Sequence, residues 1–353
     1  MKKKLVTLAL GLLALGLSGA DCYTVPVAGA GGTLKANNRR PLEFSAWLVF
    51  WDALSVKSFQ ANVTRLKRVY PEAYGCQADG LPAHIATFDQ AAMTSVVALA
   101  KANGVKILGT MNNFANGDFE PKRVEKFLGD PALMEKHVDA LIALAKADGL
   151  DGLDVDYESL AAADRGPFTA FVRRLAEKCH AQGMQVGLAA HPKVSEPGTW
   201  DGPQAQDYEA LGAAVDHFHV MTYDYHWASG GAGSIAPLAW VRQVTEFAKS
   251  KMPAEKIEVG VNGYGYYWHP KGENLTWPGF LALQAKLGKA QRDDDSQELK
   301  LYSAAGEAYM ADAQTSLEKF KIAQDEEVGG VALWVLGQED PKTWTVWDKF
   351  NGK

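Results

Sequence analysis

Eight short apolar runs recur between residues 44 and 336, most of them separated by segments of helical periodicity, and this alternation limits the possible folds more than any other feature. Phe44–Phe50, Lys67–Tyr74, Val105–Met111, Gly152–Tyr157, Gln185–Ala190, His217–Tyr223, Ile257–Val261 and Val328–Leu336 read as strands. Asp89–Ala102, Phe168–Ala181, Tyr208–Ala214, Leu238–Lys249 and Pro341–Phe350 read as helices. Another helix opens at Asp130-Pro131, a cap followed by proline at the first helical position, and runs to Gly149. Strands alternating with helices at this spacing imply parallel pairing through crossover helices. Eight such units over residues 42–353 fit an α/β fold of the (β/α)8 TIM barrel type. A doubly wound sheet is the alternative, but no G-x-G-x-x-G opens the first unit. Residues 266–312 are too long for a simple connection and read as a small α+β insertion between strands seven and eight, with a β pair near Leu299–Tyr302 and Glu307–Met310.

The N-terminus has a different character. Lys2, Lys3 and Lys4 precede the apolar stretch Leu5–Leu17, and Ser18-Gly19-Ala20 supplies small residues for cleavage. Residues 1–20 therefore read as a signal peptide and residues 21–41 as an arm or linker. Cys22 raises a lipoprotein alternative, but Asp21 stands where a lipobox needs a small residue. The mature protein is expected outside the cytoplasm, secreted or in the periplasm or cell envelope, as a monomer. No later segment is long and apolar enough for a membrane helix. Cys22, Cys76 and Cys179 allow one disulfide or none, and their spacing matches no zinc pattern. A net charge of −6 without a dense basic run argues against nucleic acid as a partner.

The chemistry concentrates on strand four, Asp151-Gly152-Leu153-Asp154-Val155-Asp156-Tyr157-Glu158. Residues two apart share a face of a strand, so Asp154, Asp156 and Glu158 project together, and Leu153, Val155 and Tyr157 face the helices. Asp151 is out of phase and reads as structural. Three carboxylates on a buried face repel one another and lose hydration unless protons, hydrogen bonds or a cation compensate. A solvated edge strand and an oxygen-ligand metal site both remain open on this pattern. Acid/base catalysis fits it better, because crowded carboxylates hold a shared proton and keep the terminal acid protonated near neutral pH. In a barrel, Glu158 falls at the C-terminal end, where active sites form.

The strand-four motif resembles the signature of glycoside hydrolase family 18, the chitinase-like enzymes. Met221-Thr222-Tyr223-Asp224-Tyr225 on strand six and Trp334 within Leu333-Trp334-Val335-Leu336-Gly337 on strand eight match it in the same order. Strand three departs from the usual Ser-x-Gly-Gly of chitinases and reads Leu108-Gly109-Thr110-Met111-Asn112-Asn113. That stretch, with Thr222–Trp227 and Trp334–Gln338, is similar to the branch of spore-germination and cortex-lytic N-acetylglucosaminidases, here without its LysM repeats. The substrate implied is a glycan containing N-acetylglucosamine, either chitin-type oligomers or peptidoglycan, and no cofactor or metal is implied.

The resemblance also implies roles. Glu158 would be the general acid and then the base for water. Asp156 would orient the substrate's 2-acetamido group as the internal nucleophile, and Asp154 would share a proton with Asp156. Tyr223 would donate to the acetamido oxygen, Asp224 and Met221 would contact the sugar, and Trp334 would form its floor. Asn113 is placed at the cleft. His191 and His226 read as loop or supporting residues, and Trp47 and Trp51 as either subsite or packing. Family members lacking the acid occur as carbohydrate-binding lectins; the presence of Glu158 favours an enzyme.

Overall fold

The computed structural model describes residues 41–353. The expected signal peptide, nearly all of the expected arm and Cys22 lie outside the described residues. Eight parallel strands form the centre: β1 (Glu43–Leu48), β2 (Arg68–Cys76), β3 (Lys106–Asn112), β4 (Gly152–Asp156), β5 (Gln185–Ala190), β6 (His217–Val220), β7 (Ile257–Asn262) and β8 (Gly330–Trp334). β1 pairs in parallel with both β2 and β8, with Ala46 opposite Val69 on one side and Leu333 on the other. That double pairing closes the barrel and excludes the open doubly wound sheet.

The two-residue period of the strands sorts their side chains. Leu153, Val155 and Tyr157 point outward into a core shared with helix residues such as Leu141, Phe168 and Phe171. Trp47, Tyr70, Leu108, Met221 and Tyr223 fill the interior, with Trp334 packed against them. Gly152 is required by the tight packing at the start of β4, where a Cβ would collide with the Gln185 carbonyl.

The helices outside the barrel are set by acidic caps. Asp130 accepts from Ala132 N at 2.9 Å and Leu133 N at 3.2 Å and starts the helix Pro131–Ala147. Asp52, Asp89, Asp207 and Asp312 cap other helices in the same way. Four helices of the barrel absent from the sequence reading are present: Ala53–Asn62, Pro121–Leu128, Asp201–Gln204 and Ala313–Asp325. The last carries the buried Lys319, whose charge breaks the apolar stripe that would have marked it.

The insertion between β7 and β8 is a five-stranded antiparallel sheet (Gly265–Trp268, Gly272–Leu275, Gln291–Arg292, Leu299–Ser303, Gly306–Met310) with one helix, Trp277–Leu287. The expected β pair is its Leu299–Ser303 and Gly306–Met310 hairpin, and Leu275, Phe280, Leu301, Ala308 and Met310 form its own core. Among the described residues no helix is long and apolar enough to cross a membrane. Cys76 and Cys179 are buried and not joined to one another.

Candidate active site

β4 ends at Asp156, and the chain leaves the barrel through Ser159, which adopts a left-handed backbone at φ 58°. Glu158 is thus presented at the C-terminal mouth, with its side chain 19% exposed, while Asp156 is 6% and Asp154 0% exposed. The three carboxylates form a gradient from the dry interior to the cleft.

Their partners differ at each level. Asp154 has three partners: Trp47 Nε1 donates to Oδ2 at 3.1 Å, Thr110 Oγ1 donates to Oδ2 at 3.0 Å, and His219 Nε2 lies 3.1 Å from Oδ1. Asp156 instead shares a hydrogen bond with the carboxyl of Glu158. Its Oδ1 is buried with no amide, hydroxyl or ring N–H to accept from. Burial raises the Asp156 pKa well above the carboxylate range, and the charges of Glu72 and Asp154 add to it. Burial likewise raises Glu158, helped by the charges of Asp156 and Asp224 and by its hydrogen bond to Asp156. The two therefore retain at least one proton between them near neutrality.

Strand six continues into the site through Met221, Tyr223 and Asp224. Met221 and Tyr223 are interior-facing and buried. Burial, reinforced by Asp156, Asp224, Glu158 and Asp154, raises the Tyr223 phenol well above its usual value, so it is a hydrogen-bond donor. Asp224 has a left-handed backbone at φ 58°, and its Oδ1 accepts from Tyr264 Oη at 2.5 Å and Tyr266 Oη at 3.0 Å. Trp334 is partly buried, its ring 5.8 Å from that of Trp47 in an edge-to-face arrangement.

Asn113 is expected at the cleft, yet it is fully buried and its amide is engaged by the backbone of Glu158. It holds the acid rather than facing solvent. Trp47 is an interior residue, 2% exposed, whereas Trp51 is 49% exposed. His226 braces its loop through Ser234 O at 2.7 Å. His191 lies closer to the chemistry, with Nε2 3.7 Å from Glu158 Oε2, and burial lowers its pKa to about 4. Asp151, as its phase implies, pairs with Lys106 outside the barrel at 2.8 Å.

The sequence reading missed His219, Glu258, Arg68, Glu72, Tyr264 and Tyr266. His219 is in phase with Met221 and Tyr223, and Glu258 is an acid inside an apolar strand; both signals were present in the sequence. Among the described residues no three His, Cys, Asp or Glu side chains are gathered as metal ligands.

The model of glycosyl hydrolases family 18 matches residues 89–339. The chain belongs to that family. It is 26% identical over 247 residues to a cortical fragment-lytic enzyme of Bacillus anthracis, an alignment covering 66% of this chain and 57% of that protein. The chain thus spans little more than half the length of that relative. In three dimensions it resembles the Bacillus cereus spore cortex-lytic enzyme SleL, with TM-score 0.79 and 23% identity, covering 88% of this chain and 74% of the other. It also resembles a class V chitinase from Pseudomonas fluorescens Pf-5, with TM-score 0.80 and 25% identity, covering 89% of this chain and all of the other.

Proposed function

We propose that this family 18 chain is a retaining hydrolase that cleaves β-linked glycans containing N-acetylglucosamine, using the substrate's own acetamido group as nucleophile. The observation that carries the reading is the buried Asp156 Oδ1, an acceptor without an N–H, beside the proton-holding Glu158. Asp156, still 6% exposed, accepts from no N–H among the described residues, and a buried carboxylate without donors is costly and invites one from a ligand. A 2-acetamido N–H supplies one.

In this reading the Glu158 proton passes to the glycosidic oxygen as that bond breaks. The acetamido carbonyl oxygen closes on the anomeric carbon, giving a cyclic oxazolinium whose positive charge faces Asp156. Tyr223 donates to the acetamido oxygen and Asp224 orients the sugar, with Trp334 beneath it. Glu158, now a carboxylate, takes a proton from water, which opens the ring from the leaving group's side and restores the starting configuration.

The substrate is a chitin-type oligomer or peptidoglycan. The likeness to both a cortical fragment-lytic enzyme and a chitinase supports this pair of choices. The reading includes export with removal of residues 1–20, supported by the basic, apolar and small-residue order of that segment. Incubation with chitin oligomers and purified peptidoglycan side by side, with products identified by mass spectrometry, tests the function. Cleavage of neither glycan overturns it.

A further inference from the structure

Beneath the three acids runs a line of alternating charge that the mechanism above does not use. At the N-terminal end of the barrel, Arg68 on β2 pairs through the same Nη2 with Glu43 at 2.6 Å and with Glu258 on β7. Glu258 Oε1 also accepts from Ser45 Oγ at 3.0 Å, and its Oε2 accepts from Tyr70 Oη at 3.0 Å. That same Oε2 lies 2.9 Å from His219 Nδ1, and His219 Nε2 lies 3.1 Å from Asp154 Oδ1. His219 and Asp154 are both 0% exposed. The space they occupy is kept open by Gly187 on β5, where a Cβ would stand 2.6 Å from Asp154 Oδ1 and 2.8 Å from His219 Nε2.

We propose that His219, gripped from below by Glu258, is a positioning residue that occupies Asp154 Oδ1 as a donor and thereby keeps the catalytic proton on Asp156 and Glu158. This rests on the acid/base reading of Glu158 given above. An imidazole with a carboxylate at each nitrogen donates from both, which only the cationic form can do. Glu258 has donors enough to stay ionised: Ser45, Tyr70 and Arg68 all point at it. Asp154 is met by three groups, Trp47, Thr110 and His219, of which only His219 reaches Oδ1.

The polar and titratable groups facing His219 come from β1, β2, β4, β7 and its own strand, and β5 adds only Gly187 and Ala189. Asp154 stands on β4, Glu258 on β7 and Trp47 on β1, while Tyr70 and Arg68 stand on β2 and His217 on its own strand. Burial alone would depress the imidazolium, but Asp154 and Glu258 outweigh it and carry its pKa up to about 9. Burial holds His217 down at about 4, so it adds no competing charge near neutrality. The line Glu43, Arg68, Glu258, His219, Asp154 thus alternates in sign along its whole length, as buried charges must if each is to be compensated.

The test has two arms. The first is nitrogen NMR of the histidines in the wild-type protein, with His219 assigned by its absence from His219→Asn. Both ring nitrogens of His219 should carry protons from pH 6 to beyond pH 8; a neutral tautomer at pH 7 overturns the proposal. This arm needs no turnover, so it stands or falls separately from the assigned activity. The second arm is the pH profile of kcat/KM on an N-acetylglucosamine oligomer for His219→Asn and Glu258→Gln. Loss of a buried cation raises the pKa of every neighbouring carboxyl, so both limbs should move to higher pH by at least about one unit. Glu258→Gln should move them the same way, although it touches neither Asp154 nor the cleft. Limbs that stay in place in both folded variants, whatever happens to the rate, would show His219 to be packing only.

Discussion

Asn113 holds Glu158 by the backbone at two points: its Nδ2 donates to the Glu158 carbonyl at 3.0 Å and its Oδ1 accepts from the Glu158 N–H at 2.9 Å. The residue lies just beyond β3 and grips the first residues past β4, so neighbouring strands jointly set the height of the acid above the barrel. Replacing Asn113 with Ala removes both bonds and leaves two backbone groups to find other partners, at a cost of about 1–3 kcal/mol in stability. The acid would also lose its fixed position, and kcat should fall at least ~10-fold with a smaller change in KM, as expected for a misplaced reacting group. Thermal unfolding and steady-state kinetics of Asn113→Ala, beside Asn113→Asp, measure the two effects. A variant of normal kcat would show the grip to be irrelevant to the chemistry.

The acid itself is tested by Glu158→Gln. The amide keeps the shape of the carboxyl but delivers no proton, and loss of general acid/base action typically costs ~10²–10⁴-fold in rate. Glu158 stands beside Asp156 and Asp224, whose charges raise it. Removing a carboxyl from that group relieves repulsion, so the melting temperature should hold or rise while turnover is lost. Binding of an N-acetylglucosamine oligomer, followed by calorimetry, should survive. Near-normal turnover would assign the acid elsewhere.

Most of the barrel was legible because each strand announces itself by a short apolar run and most of the long helices by their period and caps. The strand-four acids were legible because three carboxylates in phase on a buried face demand an explanation. What the sequence hid was lateral. His219 and Asp154 are 65 residues apart, and Asp154 meets Trp47 across 107 residues, so only closure of the sheet brings them together. Tyr264 and Tyr266 reach Asp224 from the edge of the insertion, where no periodicity points to a partner. Asn113 was placed at the cleft because it stands at the end of strand three; its backbone role depends on the offset between β3 and β4, which single-strand periodicity does not report.

Glu72 gives a pH dependence of stability whose sign follows from its position. It is buried on β2, Asn112 Nδ2 donates to it at 2.6 Å, and burial, with the charges of Asp154 and Glu158, raises its pKa to about 8. The unfolded value is about 4.3, so the folded state holds this proton more tightly. Its stabilising contribution is therefore complete below the unfolded pKa and is lost as pH rises through about 8. Glu72→Gln keeps the neutral hydrogen-bonding group and removes the titration. Urea unfolding from about pH 5 to about pH 8 should show the wild type losing up to about 1.4 kcal/mol per pH unit more than the variant, the limit for one proton. Parallel curves for the two proteins would mean that Glu72 ionises normally in the fold.

The buried Asp156 Oδ1 makes the substrate's acetamido group the decisive variable. Glu158 and Asp156 share a proton, Asp154 is held by three donors, and Asp224 accepts from two tyrosines, which leaves no free carboxylate placed as an enzyme nucleophile. In the proposed reading the nucleophile then comes from the sugar. Oligomers carrying a 2-acetamido group at the cleavage point should be cut with retention of the anomeric configuration. Fully deacetylated chitosan, cellulose and xylan should not be cut, because none can close an oxazoline ring. An internal nucleophile contributes about 7–11 kcal/mol through proximity in favourable cases, so discrimination between matched acetylated and deacetylated oligomers should be nearly complete. A thiazoline analogue of N-acetylglucosamine should inhibit as a stable mimic of the cyclic intermediate. Proton NMR of the first-formed anomer, recorded before mutarotation, reads the stereochemistry directly. Inversion, or comparable rates on the two oligomers, would require a nucleophile other than the acetamido group and a different task for Asp156.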